Sequence, residues 1–190
     1  FALGGAFAKE RSTRVGAGPF PTELDDAFGE RLRSQGGEFG TTTGRPRRCG
    51  WMDLVVARYA RRVNGVGSIA LTKLDVLDGL EEIKVCTGYR IDGEEVSDLP
   101  ADASRFGRAE PVYERLPGWN ASTVGARSFA DLPPNARSYV RYLEEQLGVG
   151  IDLISTGPRR EETIIGDRLL REWLGEELDL VTSQMAVGAG

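Results

Sequence analysis

The chain has 190 residues, of which 40% are hydrophobic and 28% are charged, a composition typical of a globular protein with enough chain for a core. Its net charge of −5 argues weakly against a nucleic-acid binder, because neutralising phosphates requires a basic surface. The sequence contains no histidine, which excludes an imidazole base, a Ser-His pair and a histidine metal ligand within it.

The cysteine content and the apolar runs bear on the compartment. Cys49 and Cys86 are too few for a disulfide framework, so we expect a reducing, cytoplasmic environment. No apolar run approaches the roughly 20 residues that cross a bilayer, so no membrane partner is expected. The chain begins without Met, and we expect residues 1–190 to form a single domain or a fragment of one.

The first predicted element is a short helix that leads into a long polar loop. Leu24, Phe28 and Leu32 recur at four-residue spacing after a turn at residues 19–21, which predicts a helix. Residues 34–50 are rich in Gly, Thr and Arg and predict a loop. Such a long loop is uncommon in a compact domain unless it is functional.

A helix–strand pair and a hairpin follow. Residues 51–62 predict a helix that Asn64-Gly65 ends. Its apolar face is formed by Val55, Val56, Tyr59 and Val63. Residues 68–71 predict a buried strand, and residues 82–96 predict a hairpin that turns at Asp92-Gly93.

The same order of helix and strand then recurs. Residues 97–133 read as a mixed loop region, and residues 135–147 predict a second helix that Gly148 closes. Residues 151–154 predict another short strand. Two helix–strand pairs predict an α/β fold, with part of a mainly parallel central sheet, flanking helices and a small hairpin.

The polar motif Thr72-Lys73-Leu74-Asp75 comes directly after the first of these strands. A carboxylate such as that of Asp75 accepts two parallel hydrogen bonds from N1–H and the exocyclic amine of guanine, a donor pair that adenine lacks. The lysine stem can lie along the face of the base. The alternative reading is a charged turn.

A second motif, residues 41–48, combines three threonines, a glycine and alternating arginines. Arg45 and Arg47 can each bind a carboxylate or phosphate with two hydrogen bonds, and Gly40 and Gly44 allow close backbone approach. The alternative reading is a solvated basic loop.

A third motif, Ser155-Thr156-Gly157, follows the second strand and could contact a base or ribose, or could simply be a capped turn. Ligands of open α/β sheets bind outside the carboxyl ends of the strands, so we expect both strand-end motifs at one edge. No Gly-Lys pair occurs, which excludes a Walker A loop and places any phosphate-binding half elsewhere.

Five segments together resemble the adenylosuccinate synthetase family, in its order and spacing. They are TRVGAGPFPTEL from Thr13, GGEFGTTTGRPRRCGWMD from Gly36, LTKLDVLDGLEEIKVC from Leu71, PVYERLPGW from Pro111 and ISTGPRREETI from Ile154. The resemblance covers about residues 11–165. Residues 166–190 form a tail outside it, in which Leu169, Leu170, Trp173 and Leu174 predict an amphipathic helix.

The resemblance implies an enzyme that uses GTP to join L-aspartate to IMP in de novo AMP biosynthesis. It implies aspartate-binding residues Thr41, Thr42, Thr43, Gly44, Arg45, Pro46 and Arg47. It implies that Val15 and Arg45 contact IMP. It implies a GTP site formed by Arg47, Lys73, Leu74, Asp75, Ser155, Thr156 and Gly157.

The family's catalytic aspartate and histidine, its phosphate loop and its Mg²⁺ ligands belong to an amino-terminal part that has no counterpart in this sequence. We therefore expect no catalytic or metal-binding residue here and no activity of the isolated chain. The resemblance further implies a homodimer for the full-length enzyme. The alternatives are a non-catalytic guanine-nucleotide-binding or anion-binding module and a structural domain without a ligand.

Overall fold

The computed structural model describes residues 6–9, 12–14 and 18–174, with side chains from residue 18 to residue 171. The strands are β1 Ala6–Lys9, β2 Ser12–Arg14, β3 Arg48–Gly50, β4 Met52–Asp53, β5 Ile69–Thr72, β6 Glu82–Ile91, β7 Glu94–Val96, β8 Glu110–Pro117, β9 Ile151–Ser155 and β10 Thr163–Ile165. The helices are α1 Ala27–Gln35, α2 Leu54–Asn64, α3 Ala103–Phe106, α4 Pro134–Leu147 and α5 Asp167–Leu174.

The main sheet has the order β1-β5-β9-β10. Strands β1, β5 and β9 are parallel neighbours, and β10 runs antiparallel to β9. Helices α2 and α4 immediately precede β5 and β9 in the chain. The predicted mainly parallel sheet with flanking helices is confirmed.

Both of these helices have clear local signals at their ends. The Asp53 side chain caps α2 by accepting hydrogen bonds from the amides of Val55 and Val56 at 3.0 and 3.2 Å. Gly65 and Gly148 follow α2 and α4 in the left-handed conformation, with φ of 60° and 61°. Glycine adopts that conformation without a steric penalty, so each helix stops where the sequence predicts.

A second sheet is built around β6. Strand β7 forms the predicted hairpin with β6, turning at Asp92 and Gly93 with positive φ, while β4 pairs in parallel. Strand β8 pairs antiparallel along most of β6, so the prediction of a loop region for residues 97–133 is wrong for this segment. Pro111 and Pro117 concealed the strand, because proline is tolerated where a strand leaves one side unpaired.

One buried cluster joins the two sheets through α2 and α4. It includes Leu54 of α2, Leu71 of β5, Ile83 of β6 and Leu143 of α4, none more than 1% exposed. Burying a side chain of this size contributes about 1.5–3 kcal/mol. Leu74, which is 0% exposed, belongs to the same cluster and fixes the turn after β5 to the core.

Two helix predictions need correction. Helix α1 begins at Ala27, after Asp26 accepts a hydrogen bond from the Gly29 amide at 2.8 Å, so Leu24 packs on the core from outside the helix. The predicted apolar face of α2 fails at Tyr59 and Val63, which are 38% and 56% exposed. Only its amino-terminal turn is buried, because the core contacts are concentrated there.

The long polar loop also contains more order than predicted. Its first two residues belong to the end of α1, and its last three form β3, which pairs with β2. Within the described segments, no helix combines the length and the apolar character needed to cross a membrane.

Candidate functional site

The two strand-end motifs lie side by side. Strands β5 and β9 are parallel neighbours with Leu71 opposite Ile154, so the residues that follow both strands leave the same edge of the sheet. The backbone N–H of Lys73 donates a 2.8 Å hydrogen bond to the Ser155 hydroxyl. The structure therefore joins the motif after β5 to the motif after β9 through one direct bond.

Lys73 has an unusual backbone conformation. Its φ of 67° is in the left-handed region, which only seven glycines and Asp92 share among the described residues. A residue with a Cβ atom pays a steric cost there, and such residues cluster at functional sites. The bond to Ser155 and the short 3-10 helix Leu74–Leu77 that follows hold Lys73 in this conformation.

Leu74 and Asp75 have different environments within that short helix. Leu74 is fully buried, so its side chain anchors the turn while its backbone remains at the sheet edge. Asp75 is half-buried, and its carbonyl accepts a 3.1 Å hydrogen bond from the Asp78 amide. Backbone hydrogen bonds and a buried leucine therefore both stabilise this turn.

The turn between β9 and β10 is shaped by Glu162. The amide and hydroxyl of Thr156 both donate to the Glu162 carbonyl, at 2.8 and 3.3 Å, so the Thr156 side chain faces inward. The Glu162 carboxylate accepts from the Arg159 amide and guanidinium at 2.8–3.1 Å, which lowers the pKa of Glu162. A Cβ atom at Gly157 would collide with that carboxylate, so a larger residue here would have to displace Glu162 from its contacts with Arg159.

The threonine-rich loop is a hairpin-like projection. Phe39 and Pro46 form an isolated antiparallel bridge at its stem. Nearer its tip, the Gly40 amide donates to the Arg45 carbonyl and the Gly44 amide donates to the Gly40 carbonyl, both at 2.8 Å. Every residue from position 41 to position 46 is exposed, including the three threonines. The loop presents hydroxyls and a guanidinium to solvent on a defined stem.

The two alternating arginines of this loop are placed differently. Arg45 is exposed near the tip. Arg47 is half-buried at the stem, where its amide donates to the Glu38 carbonyl at 2.9 Å and its Nη1 donates to Glu38 Oε2 at 3.1 Å. The Arg47 carbonyl accepts from Arg33 Nε of α1 at 2.8 Å. Arg45 is thus available to a ligand, whereas Arg47 is tied to the base of the loop.

Glu38 connects the loop to the strand-end motifs. Its side chain is 0% exposed, and its Oε1 lies 2.6 Å from Lys73 Nζ, which also donates to the Gly36 carbonyl. Its other carboxylate oxygen binds Arg47. One buried anion therefore lies between a cation of the loop and a cation of the sheet edge.

Comparison with known proteins decides the family. The sequence profile described as adenylosuccinate synthetase matches residues 6–164. This chain belongs to the adenylosuccinate synthetase family.

Relatives in the family align over most of the chain. The synthetase of Pelobacter propionicus is 60% identical over 158 residues, covering 83% of this chain and 37% of the relative. That of Carboxydothermus hydrogenoformans is 58% identical over 161 residues, covering 85% of this chain and 38% of the relative. The chain thus spans well under half the length of these relatives.

A solved family structure is similar in fold as well as in sequence. The fully ligated adenylosuccinate synthetase from Plasmodium falciparum superposes with a TM-score of 0.80 at 42% identity. The alignment covers 84% of this chain and 38% of that structure. The fold described above is therefore a segment of the synthetase fold.

The family match and the described residues leave two predictions open. Val15, predicted to contact IMP, lies inside the family match but outside the described residues. The profile ends at residue 164, before α5. Helix α5 lies where the tail helix was predicted. In it, Leu169 and Leu170 are half-buried. The side chains of Trp173 and Leu174 lie outside the described residues.

Sequence reasoning missed two buried carboxylates that support the predicted motifs. Glu38 and Glu162 both lay inside quoted motifs but received no role. Glu38 lies in the glycine-rich segment 36–40 just after α1, and nothing in the local sequence indicates that its carboxylate is buried. Neither partner could be named without the tertiary fold.

The described residues do not contain a cluster of side chains typical of a metal site. No group of three or more His, Cys, Asp or Glu side chains among them could hold a metal ion. One surface depression of about 530 Å³ adjoins the loop stem, but it is lined by α1, Phe39 and Pro46 and not by the strand-end motifs.

Proposed function

We propose that this chain supplies the guanine-binding edge and the aspartate-binding loop of an adenylosuccinate synthetase. That enzyme joins L-aspartate to IMP at the expense of GTP in AMP biosynthesis. The observation that carries the proposal is the direct bond between Lys73 and Ser155, which unites two family motifs at the carboxyl edge of one parallel strand pair.

Guanine recognition is assigned to the turn after β5. Asp75 accepts hydrogen bonds from N1–H and the exocyclic amine of the base, and charged acceptors make such bonds strong. Lys73 lines the base with its methylene stem, while its ammonium remains with Gly36 and Glu38. Ser155 and Gly157 border the same pocket. The inward hydroxyl of Thr156 supports the turn, so its contribution to the ligand comes from the backbone.

Aspartate recognition is assigned to the threonine-rich loop. The exposed hydroxyls and amides of residues 41–44 suit carboxylate oxygens, and Arg45 can add a bidentate contact. Arg45 also reaches the IMP ribose, together with the backbone of Val15. Pro46 and Arg47 end the loop, where Arg47 lies on the side of the guanine turn and approaches GTP.

The reacting groups are assigned to another part of the enzyme. The sequence has no histidine, and the family's catalytic aspartate and histidine and its Mg²⁺ ligands are expected in the amino-terminal segment. When bound, Mg²⁺ would supply charge neutralisation to phosphoryl transfer. We expect the isolated 190-residue chain to bind its substrates but not to catalyse the ligation of L-aspartate to IMP. A cytoplasmic location and a homodimer of the full-length enzyme complete the proposal.

A thermal-shift panel with GTP, ATP, IMP and L-aspartate tests the proposal. A ligand at 100 times its Kd stabilises by about 2.7 kcal/mol, or roughly 5–10 °C in Tm for a chain of this size. We expect GTP to raise Tm well above ATP, and aspartate or IMP to change that response. A GTP shift that ignores aspartate and IMP would favour a simple guanine-nucleotide-binding module. No shift with any ligand would favour a structural domain.

A further inference from the structure

Glu38 carries an inference that goes beyond these binding assignments. Its side chain is fully buried, although it is charged and has two cationic neighbours. A buried carboxylate is stable only when its charge and lone pairs are matched, and removing one partner of a buried pair is strongly destabilising. Whatever moves one of its cations therefore changes the free energy of its contact with the other.

Each oxygen of the Glu38 carboxylate lies within hydrogen-bonding distance of a cationic side chain. Oε1 lies 2.6 Å from Lys73 Nζ, and Oε2 lies 3.1 Å from Arg47 Nη1. Lys73 belongs to the turn after β5, and Arg47 belongs to the stem of the threonine-rich loop. The two elements are 26 residues apart in sequence, and in the described residues this carboxylate links their side chains directly.

The backbone makes the connection mechanically firm. The Glu38 carbonyl accepts from the Arg47 amide at 2.9 Å, and the neighbouring residues Phe39 and Pro46 form the bridge at the stem. On the other side, the Lys73 amide is fixed to Ser155. A displacement of the loop is therefore passed to Lys73 through a short chain of bonds and not through solvent.

We propose that Glu38 is a positioning residue that couples the threonine-rich loop to the guanine turn. A dicarboxylate that attracts Arg47 weakens the Arg47–Glu38 pair, which strengthens the contact of the Glu38 carboxylate with Lys73 and fixes the lysine stem beside the base. Binding free energies are reciprocal, so a guanine nucleotide raises the affinity of the loop for the dicarboxylate by the same factor. This inference rests on the proposed function.

The first test needs no ligand. Labelling with ¹⁵N-lysine gives signals for only three residues, Lys9, Lys73 and Lys84, and Lys73→Arg identifies the relevant one. Arg47→Gln should shift the Lys73 ammonium signal in the native background and should leave it unmoved when Glu38→Gln is also present. Equal shifts in both backgrounds, or no shift in the native background, would overturn the coupling.

The second test measures the coupling between ligands by calorimetry. The Kd of GTP is determined with and without saturating L-aspartate for the native chain, Glu38→Gln and Glu23→Gln. Glu23 is a matched control, because it is a half-buried carboxylate whose described side-chain contacts are with Arg48 and not with Lys73. We expect aspartate to tighten GTP binding by at least about 5-fold in the native chain and in the control, and less than about 2-fold in Glu38→Gln.

The two tests separate the possible failures. A native chain that binds no GTP contradicts the proposed function, while the lysine signal still decides the role of Glu38. A chain that binds GTP with the same aspartate dependence in Glu38→Gln overturns the inference and leaves the guanine site standing. If Glu38→Gln does not fold, Glu38→Asp keeps the buried charge but shortens its reach. In the Glu38→Asp background, Arg47→Gln should then shift the Lys73 ammonium signal by at most half as much as in the native background. An unchanged shift would overturn the inference.

Discussion

Replacing Asp75 with asparagine tests the guanine assignment most directly. The change keeps the size and shape of the side chain but turns one acceptor oxygen into a donor amide. The turn itself should persist, because Leu74 is buried and the bonds of the 3-10 helix come from the backbone. A loss of nucleotide binding at an unchanged free energy of unfolding therefore reports on recognition and not on folding.

The magnitude follows from the bonds at stake. A hydrogen bond to a charged group contributes about 1.5–3 kcal/mol, and the new amide also opposes a guanine donor. We expect a loss of about 2–4 kcal/mol, or roughly 30- to 1,000-fold in the Kd of GTP. The variant should in return gain affinity for XTP, because xanthine presents a carbonyl oxygen where guanine has its amine.

The assay is calorimetric titration of GTP and XTP into the native chain, Asp75→Asn and the control Asp98→Asn. Asp98 is 74% exposed and pairs only with Arg62 among the contacts described, and such surface pairs contribute little. Equal GTP affinity in the native chain and Asp75→Asn would refute the assignment. An equal loss in Asp98→Asn would show that the effect is a general charge effect.

Three further predictions concern the support of the site and its pH dependence. Ser155→Ala removes the acceptor of the Lys73 amide and should lower the free energy of unfolding by about 1–3 kcal/mol in urea, with a parallel loss of GTP affinity. Gly157→Ala should destabilise the chain in the same assay, because its Cβ collides with the Glu162 carboxylate. Burial raises the pKa of Cys86 from 9.0 to about 12, so stability present below pH 9 should fall as pH rises toward 12, and Cys86→Ala should have a smaller slope.

Ser155→Ala and Gly157→Ala each have a control variant with the same chemical change at another position. Ser138→Ala removes a hydroxyl that only caps a carbonyl on exposed α4 surface, and it should leave both stability and GTP affinity nearly unchanged. Gly67→Ala adds a Cβ atom in open space, so it should cost less than Gly157→Ala. An unfolding free energy of Cys86→Ala with the same slope from pH 8 to pH 11 as the native chain would contradict the assigned pKa shift.

The local signals of the sequence predicted the elements that place the site. The apolar segment before Thr72 and the segment before Ser155 are each preceded by a helix that ends at a glycine, which predicts a mainly parallel sheet with both polar motifs at one edge. Strand β8 was not predicted, because proline is uncommon in strands and the segment contains two prolines. Its strand conformation depends on pairing with the long strand β6. Local pattern cannot reveal a partner that lies about 30 residues away in sequence.

The polar interior of the site was harder to predict for a related reason. Glu38 and Glu162 could be read as charged loop residues, since burial of a carboxylate depends on cations brought by other segments. Glu162 finds Arg159 three residues away, which sequence spacing could have suggested. Glu38 depends on Lys73, whose position is set by the packing of β5 in the sheet.

Lys73 contacts both Ser155 and Glu38, and its backbone has a positive φ. Because glycine is better suited to that conformation, the presence of lysine indicates that its side chain has a role. Glycine would adopt the left-handed conformation at φ of 67° more cheaply, by roughly 1 kcal/mol, than a residue with a Cβ atom. The amide bond to Ser155 would remain available to glycine, so it does not explain the lysine. What glycine would lose is the ammonium beside Glu38 and the methylene stem that carries it. The strained position is therefore best understood as one where the side chain links the loop to the nucleotide edge.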